Sequence, residues 1–62
     1  MKTTFMSFEA WDAAARELGW VHTHDDLVVL DDAESGECIG EFDDKSYSGW
    51  IYTEFLNRRF AP

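Results

Sequence analysis

The chain has 62 residues and a formal net charge of −8, so it is expected to form a single domain, residues 1–62, that binds neither nucleic acid nor an anionic membrane directly. Ten aromatic residues supply apolar surface for a core, which excludes a disordered acidic chain. Cys38, the single cysteine, excludes an internal disulfide framework and favours a reducing cytoplasm, and the longest apolar run, Leu27 to Leu30, is too short to span a membrane.

Residues 8–18 are predicted to form a helix. Apolar residues recur there at helical spacing and form one stripe for the core: Phe8, Trp11, Ala15 and Leu18. Ser7 is a suitable N-cap, Asp12 and Arg16 are spaced as an i, i+4 ion pair, and Gly19 is a typical helix stop.

The remainder of the chain is predicted to consist mainly of strands and short turns. The predicted strands are 20–23, 27–31, 37–43 and 50–55, and the predicted turns are 25–26, 32–36 and 44–46. Residues 56–62 are expected to be a helical turn or a tail. Short loops favour antiparallel pairing, so the predicted fold class is α+β, with one N-terminal helix packed on a three- to four-stranded antiparallel sheet.

Strand alternation divides the predicted strand 37–43 into two faces. One face, Cys38, Gly40 and Phe42, is expected to enter the core, where Cys38 acts as a small hydrophobe. The other face is expected to be exposed and to contain Glu37, Ile39, Glu41 and Asp43. Its same-face neighbours lie about 7 Å apart, which is twice the strand rise and close to every second phosphate of a DNA strand.

Catalytic and metal-binding patterns are sparse in this chain. His22 and His24 would share a strand face and, with Asp26, could hold zinc, but no second ligand set supports this. The loop from Asp31 to Glu41 departs from EF-hand spacing. Nucleophile-elbow, phosphate-loop and zinc-protease motifs do not occur. We therefore predict a protein without enzymatic activity, cofactor or metal, and a small metal-dependent enzyme is the least favoured alternative.

The negative charge is concentrated in residues 25–44, which contain nine of the 13 acidic residues and none of the five Lys and Arg residues. Solubility and protection of a sheet edge explain part of this pattern. A surface of one sign also steers a basic partner and pairs with its arginines. The predicted partner-binding residues are Asp25, Asp26, Asp31, Asp32, Glu34, Glu37, Glu41, Asp43 and Asp44.

The acidic set from Asp25 to Asp44, beside a compact aromatic core, resembles the small phage-encoded anti-CRISPR and anti-restriction proteins that act as DNA mimics. This resemblance is one of size, charge and style across the chain. It implies an inhibitor in the cytoplasm of a bacterial host cell, acting as a monomer or weak dimer. The implied partner is a basic nucleic-acid-binding protein or complex, such as the site of a type I CRISPR surveillance complex that reads the protospacer-adjacent motif.

An adaptor or regulator that binds other proteins is the alternative function. In that case exposed aromatic residues such as Trp50 and Tyr52 would supply most of the binding energy, and the acids would form a rim. Salt distinguishes the two hypotheses, because charge pairs weaken with ionic strength while an aromatic interface changes little.

Overall fold

The computed structural model describes residues 1–60, with side chains for residues 1–59, as five strands and two helices. The elements in chain order are β1 (Lys2–Phe5), α1 (Phe8–Leu18), β2 (Gly19–His24), β3 (Leu27–Asp32), β4 (Cys38–Asp43), β5 (Ser48–Tyr52) and α2 (Thr53–Phe60). The strands form one antiparallel sheet in the order β1-β5-β4-β3-β2. The α+β class with an antiparallel sheet is confirmed. The sheet has five strands instead of the predicted three to four, and the end of the chain, predicted as a helical turn or a tail, contains a second helix.

Helix α1 has the predicted bounds, and its capping follows from the sequence. The Ser7 hydroxyl accepts a hydrogen bond from the Ala10 N–H at 3.1 Å, and Arg16 reaches Asp12 at 2.9 Å. Gly19 ends the helix in extended backbone with φ 179°, so it is not a left-handed cap. A side chain at Gly19 would overlap the carbonyl oxygen of Asp31, and this close approach is what requires glycine.

Strand β1 was not predicted, and its place in the sheet explains why α1 lies across one face. β1 lies beside β5 at one edge of the sheet, and β2 lies beside β3 at the other edge. The chain between them must cross the whole sheet, and α1 makes this crossing over one face. The Thr3 and Thr53 hydroxyls are 2.7 Å apart and tie β1 to the start of α2.

The core lies between α1 and this covered face. Its fully buried members are Trp11, Ala15, Leu30, Ile39, Phe42 and Ile51. The Trp11 indole N–H donates to the carbonyl of Trp50 at 3.0 Å, so the largest core side chain is also satisfied as a donor. Phe8, at the start of the predicted stripe, is 41% exposed and packs edge-on against Phe42 at 5.4 Å.

A β-bulge in β4 reverses part of the predicted alternation. Leu30 pairs with Gly40 but Asp31 pairs with Cys38, so Ile39 is an extra residue in the ladder. Ile39 is therefore 2% exposed in the core, and Cys38 is exposed on the opposite face. Both predicted orientations were wrong, because a single inserted residue shifts the two-residue period.

The end of the chain also differs from expectation. β5 stops at Tyr52 and α2 begins at Thr53, so the predicted strand 50–55 was three residues too long. Helix α2 contains most of the segment predicted as a helical turn or tail, and residues 61–62 of that segment lie outside the described residues. Neither of the helices in residues 1–60 has the length and apolarity needed to cross a membrane.

Candidate functional site: the open face and the acidic end

One face of the sheet is covered by α1, and the opposite face is not covered by any element that the structure describes. The strand registers define this open face. Its side chains are Lys2, Thr4, Trp20, His22, His24, Leu27, Val29, Asp31, Cys38, Glu41, Asp43, Ser48, Trp50 and Tyr52. On the open face, charged and aromatic side chains of all five strands meet.

Two turns bring four acidic residues together at one end of the sheet. β2 and β4 run in the same direction, so the β2–β3 and β4–β5 turns lie at the same end. These turns and the end of β4 carry the residues that we call the acidic end: Asp25, Asp26, Asp43 and Asp44. The Lys45 amine lies 3.5 Å from the Asp26 carboxylate and links the two turns.

Acidic residues on the open face lie on β3 and β4, two of the three inner strands of the sheet. Asp31 is held by His22 Nε2 at 2.8 Å, and both side chains are partly buried. Glu41 is half-buried and has no ion-pair partner among the side chains described. Glu41 and Asp43 lie on the same side of β4, as predicted, and line a groove of about 370 Å³ together with Trp50.

Aromatic residues border the acidic strands on both sides. On β5, Trp50 and Tyr52 meet edge-on at 4.9 Å, and the Lys2 amine lies 4.0 Å from the centre of the Trp50 ring. On β2, Trp20 stacks on His22 at 4.3 Å. Three strand spacings separate β2 from β5, or about 14 Å. The open face is therefore an acidic strip between two aromatic borders.

Three of the nine predicted site residues lie elsewhere. Asp32 is the last residue of β3, and Glu34 and Glu37 belong to the β3–β4 connection, so all three lie at the opposite end of the sheet. Asp32 accepts hydrogen bonds from the Ser35 N–H at 3.1 Å and hydroxyl at 2.9 Å. These bonds, the backbone bond first, lower the pKa of Asp32. Glu37 precedes β4, so it does not form the predicted row with Glu41 and Asp43.

The nine acids are thus divided into two groups. Six belong to the open face or the acidic end: Asp25, Asp26, Asp31, Glu41, Asp43 and Asp44. The other three share their end of the sheet with α2, since Asp32 and Glu34 line one cleft with Arg58 and Arg59. That cleft contains both signs of charge and is a weaker candidate for a basic partner.

The basic residues are also segregated. Arg16 pairs with Asp12 on α1, Arg59 pairs with Glu17 between the two helices at 3.2 Å, and Arg58 lies over the ring of Phe55. All three arginines are on helices, where neighbouring groups already engage them. The open face and acidic end contain or adjoin only the two lysines, Lys2 and Lys45.

The remaining chemistry of the open face is limited. His22 and His24 share a strand face as predicted, but His22 bonds Asp31 while His24 lies 3.6 Å from Asp25. Within residues 1–60, no three His, Cys, Asp or Glu side chains are grouped to hold a metal ion. Partial burial, followed by the charges of Glu41 and Asp31, raises the pKa of the Cys38 thiol, which disfavours its reactive thiolate.

Sequence reasoning identified the acids but missed three members of this surface. Lys2 was overlooked with β1, Cys38 was assigned to the core, and Trp20 was not distinguished from buried aromatics. No protein-family model, curated protein or solved structure matches the chain. Its function is therefore inferred from the geometry and charge of its own residues.

Proposed function

We propose that this protein is a non-enzymatic inhibitor that imitates DNA, docking its open face and acidic end on a basic nucleic-acid-binding site. The observation that supports the proposal most is the separation of charge. Six acidic residues converge on one side of the molecule with two lysines, while the three arginines lie on the helices. A surface of this kind attracts a basic groove and repels nucleic acid.

Spacing adds to the charge argument. Glu41 and Asp43 are two residues apart on β4, which separates them by about 7 Å. Phosphates of one DNA strand advance about 3.4 Å each, so the two carboxylates match alternate phosphates. Arginines of the partner that normally bind DNA phosphates would bind these carboxylates, with the same two-point hydrogen-bond geometry.

The class of target is proposed from the resemblance to anti-CRISPR and anti-restriction proteins. A bacterial defence effector holds DNA in a basic site, and a type I CRISPR surveillance complex reads a short motif next to its target in such a site. Occupying that site would block DNA recognition without any chemical step. The partner is thus a basic protein or complex, and the inhibitor itself does not bind nucleic acid.

The test is capture of partners from bacterial lysate by the full-length protein at low and at high salt. An open-side variant removes four charges from the proposed surface and leaves Asp44 in place: Asp25→Asn, Asp26→Asn, Glu41→Gln and Asp43→Asn. A remote variant removes the same number elsewhere: Glu9→Gln, Glu17→Gln, Glu34→Gln and Glu54→Gln. Thermal unfolding of both variants checks that each is folded.

A DNA mimic should capture nucleic-acid-binding proteins at low salt and lose them at high salt, because the contacts are charge pairs. The open-side variant should lose these proteins, and the remote variant should retain them. Equal capture by the open-side variant and the wild type would show that the four substituted acids do not bind the partner, and would contradict the proposed docking surface.

A second candidate function is supported by the aromatic borders of the open face. Trp20 is 65% exposed, and Trp50 and Tyr52 are only partly buried. Such residues often dominate protein–protein affinity. In an adaptor of this kind, capture would persist at high salt and in the open-side variant, while Trp20→Ala would reduce it.

A further inference from the structure

A small apolar cavity lies at the acidic end, on the covered side of the sheet. It has a volume of about 300 Å³ and is lined by Phe8, Val28, Phe42, Asp44 and Tyr47. It lies between the start of α1 and the β4–β5 turn, so the open face does not include it. Three of its five lining residues are aromatic, and Asp44 is its single charged member.

The exposure of these residues shows how the cavity is built. Phe42 is 1% exposed and, with the partly buried Val28, forms the floor. Phe8 is 41% exposed and Tyr47 is 74% exposed, so these two rings form the walls. Phe8 stands nearly perpendicular to Phe42, at 74°. Asp44 is exposed and lies at the rim.

Tyr47, in the cavity wall, has an unfavourable backbone conformation. Its φ is 54°, in the left-handed region that favours glycine or asparagine over a bulky residue. Strain of this kind is retained where the surrounding structure enforces it, and it is concentrated at binding and switch sites. Nothing in the packing of the core requires an aromatic ring at this exposed position.

We infer that this cavity binds an arginine side chain of a protein partner. A guanidinium group stacks on aromatic faces, and its fork of donors fits a carboxylate such as Asp44. The arginine methylenes would lie on Val28 and Phe42, so the cavity matches the apolar stem as well as the charged head. The inference rests on the proposed function for the source of the arginine, a basic partner.

Arginine fits this cavity better than the other occupants. A lysine ammonium is more strongly hydrated and makes no planar stack. An uncharged side chain would make no ion pair with Asp44. The three other carboxylates of the acidic end lie close by and add attraction for a cation.

The experiment is a nuclear magnetic resonance titration of the isotopically labelled full-length protein at low salt with N-acetylarginine amide. The matched probes are N-acetyllysine amide and N-acetylnorleucine amide. Asp44→Asn removes the carboxylate of the cavity, and Asp25→Asn removes one from the same end outside it. Both positions lie in turns, and asparagine suits the positive φ of Asp25, 56°. Tyr47→Asn removes one wall and relieves the backbone strain.

Arginine amide should shift the signals of Phe8, Phe42 and Tyr47 with saturation, more strongly than lysine amide and with little effect from norleucine amide. Asp44→Asn and Tyr47→Asn should each weaken binding by about two- to fivefold, and Asp25→Asn should weaken it less. Equal weakening by Asp44→Asn and Asp25→Asn, equal shifts from norleucine amide, or no saturable shifts would overturn the inference.

This titration contains no partner, so it is independent of the capture experiment. Arginine binding in the cavity, together with partner capture unaffected in the open-side variant, would reject DNA mimicry and leave the cavity assignment standing. Loss of capture in the open-side variant without saturable arginine shifts would reject the cavity assignment alone.

Discussion

The two faces of one sheet differ in how far the rest of the protein covers them. The covered face packs its side chains under α1, where Trp11 is fully buried. The open face presents Trp20 at 65% exposure beside half-buried acids. Residues that alternate along the same strands therefore either stabilise the fold or remain free to bind. The fold can tolerate an unusual charge on one face because its stability comes from the other.

The largest expected effect on stability is that of Trp11→Ala on the covered face, and Trp20→Ala on the open face is its comparison. Trp11→Ala would leave a large cavity and remove the hydrogen bond to the Trp50 carbonyl, at a cost of about 3–5 kcal/mol. A core of this size supplies only about 3–5 kcal/mol of net stability, so the variant should be largely unfolded. Trp20→Ala should change the free energy of unfolding by less than about 0.5 kcal/mol.

Urea unfolding followed by far-ultraviolet circular dichroism measures both changes. Similar losses of stability in Trp11→Ala and Trp20→Ala would contradict the assignment of one face to folding and the other to binding.

A smaller loss is expected at Gly19, where α1 joins the edge strand β2. An alanine side chain would overlap the backbone carbonyl of Asp31, and two backbone segments cannot both move aside. Gly19→Ala should cost about 3 kcal/mol, at the upper end for overpacking. The control is Gly36→Ala in the exposed turn, where φ is 75° but the space is open, with an expected cost of about 1 kcal/mol.

Thermal unfolding ranks these two glycine variants. If Gly36→Ala were the more destabilising variant, the overlap with the Asp31 carbonyl would not be the main reason why glycine is required at position 19.

The smallest effect concerns Asp32, which lies outside the proposed surface. Hydrogen bonds from Ser35 lower its pKa in the folded state below the ordinary value of 3.8. A carboxyl group with a lowered pKa stabilises the fold at pH values above its pKa in the unfolded state. This stabilisation is lost as the pH falls through its pKa in the folded state. Asp32→Asn should therefore lose stability at neutral pH, and its stability should converge with that of the wild type below pH 3.8.

Stability curves against pH for the wild type, Asp32→Asn and Glu34→Gln test this expectation. Glu34 is an exposed neighbour without a hydrogen bond from Ser35, so its variant serves as the control. A constant difference between Asp32→Asn and the wild type across the acid range would contradict the ionic origin of the effect.

Local features of the fold were accessible from the sequence, whereas long-range ones were not. Helix α1, its Ser7 cap and the turn at Asp25 each depend on a few neighbouring residues. Strand β1 depends on pairing with β5, about fifty positions later, and its four residues give little signal alone. The segment after Tyr52 contains β-forming residues, yet it forms α2, which bonds β1 through Thr3 and Thr53 and contacts α1.

The candidate site was predicted in composition but not in shape. Acidic residues between Asp25 and Asp44 were identified from charge alone. Their division between two ends of the sheet follows from the antiparallel pairing of consecutive strands, whereas the face that each acid occupies depends on the register and on the bulge in β4. The bulge at Ile39 has no local signature, and it moved Cys38 from the expected core to the open face.

Competition for the partner tests DNA mimicry most directly. Fluorescence anisotropy would follow labelled duplex DNA bound to a captured nucleic-acid-binding partner while the inhibitor is added. The wild-type protein should displace the DNA stoichiometrically at low salt, the remote variant should do the same, and the open-side variant should fail. If DNA and the wild-type protein bound the partner together, the six acids would not occupy the site that reads DNA, and the proposed mimicry would be wrong.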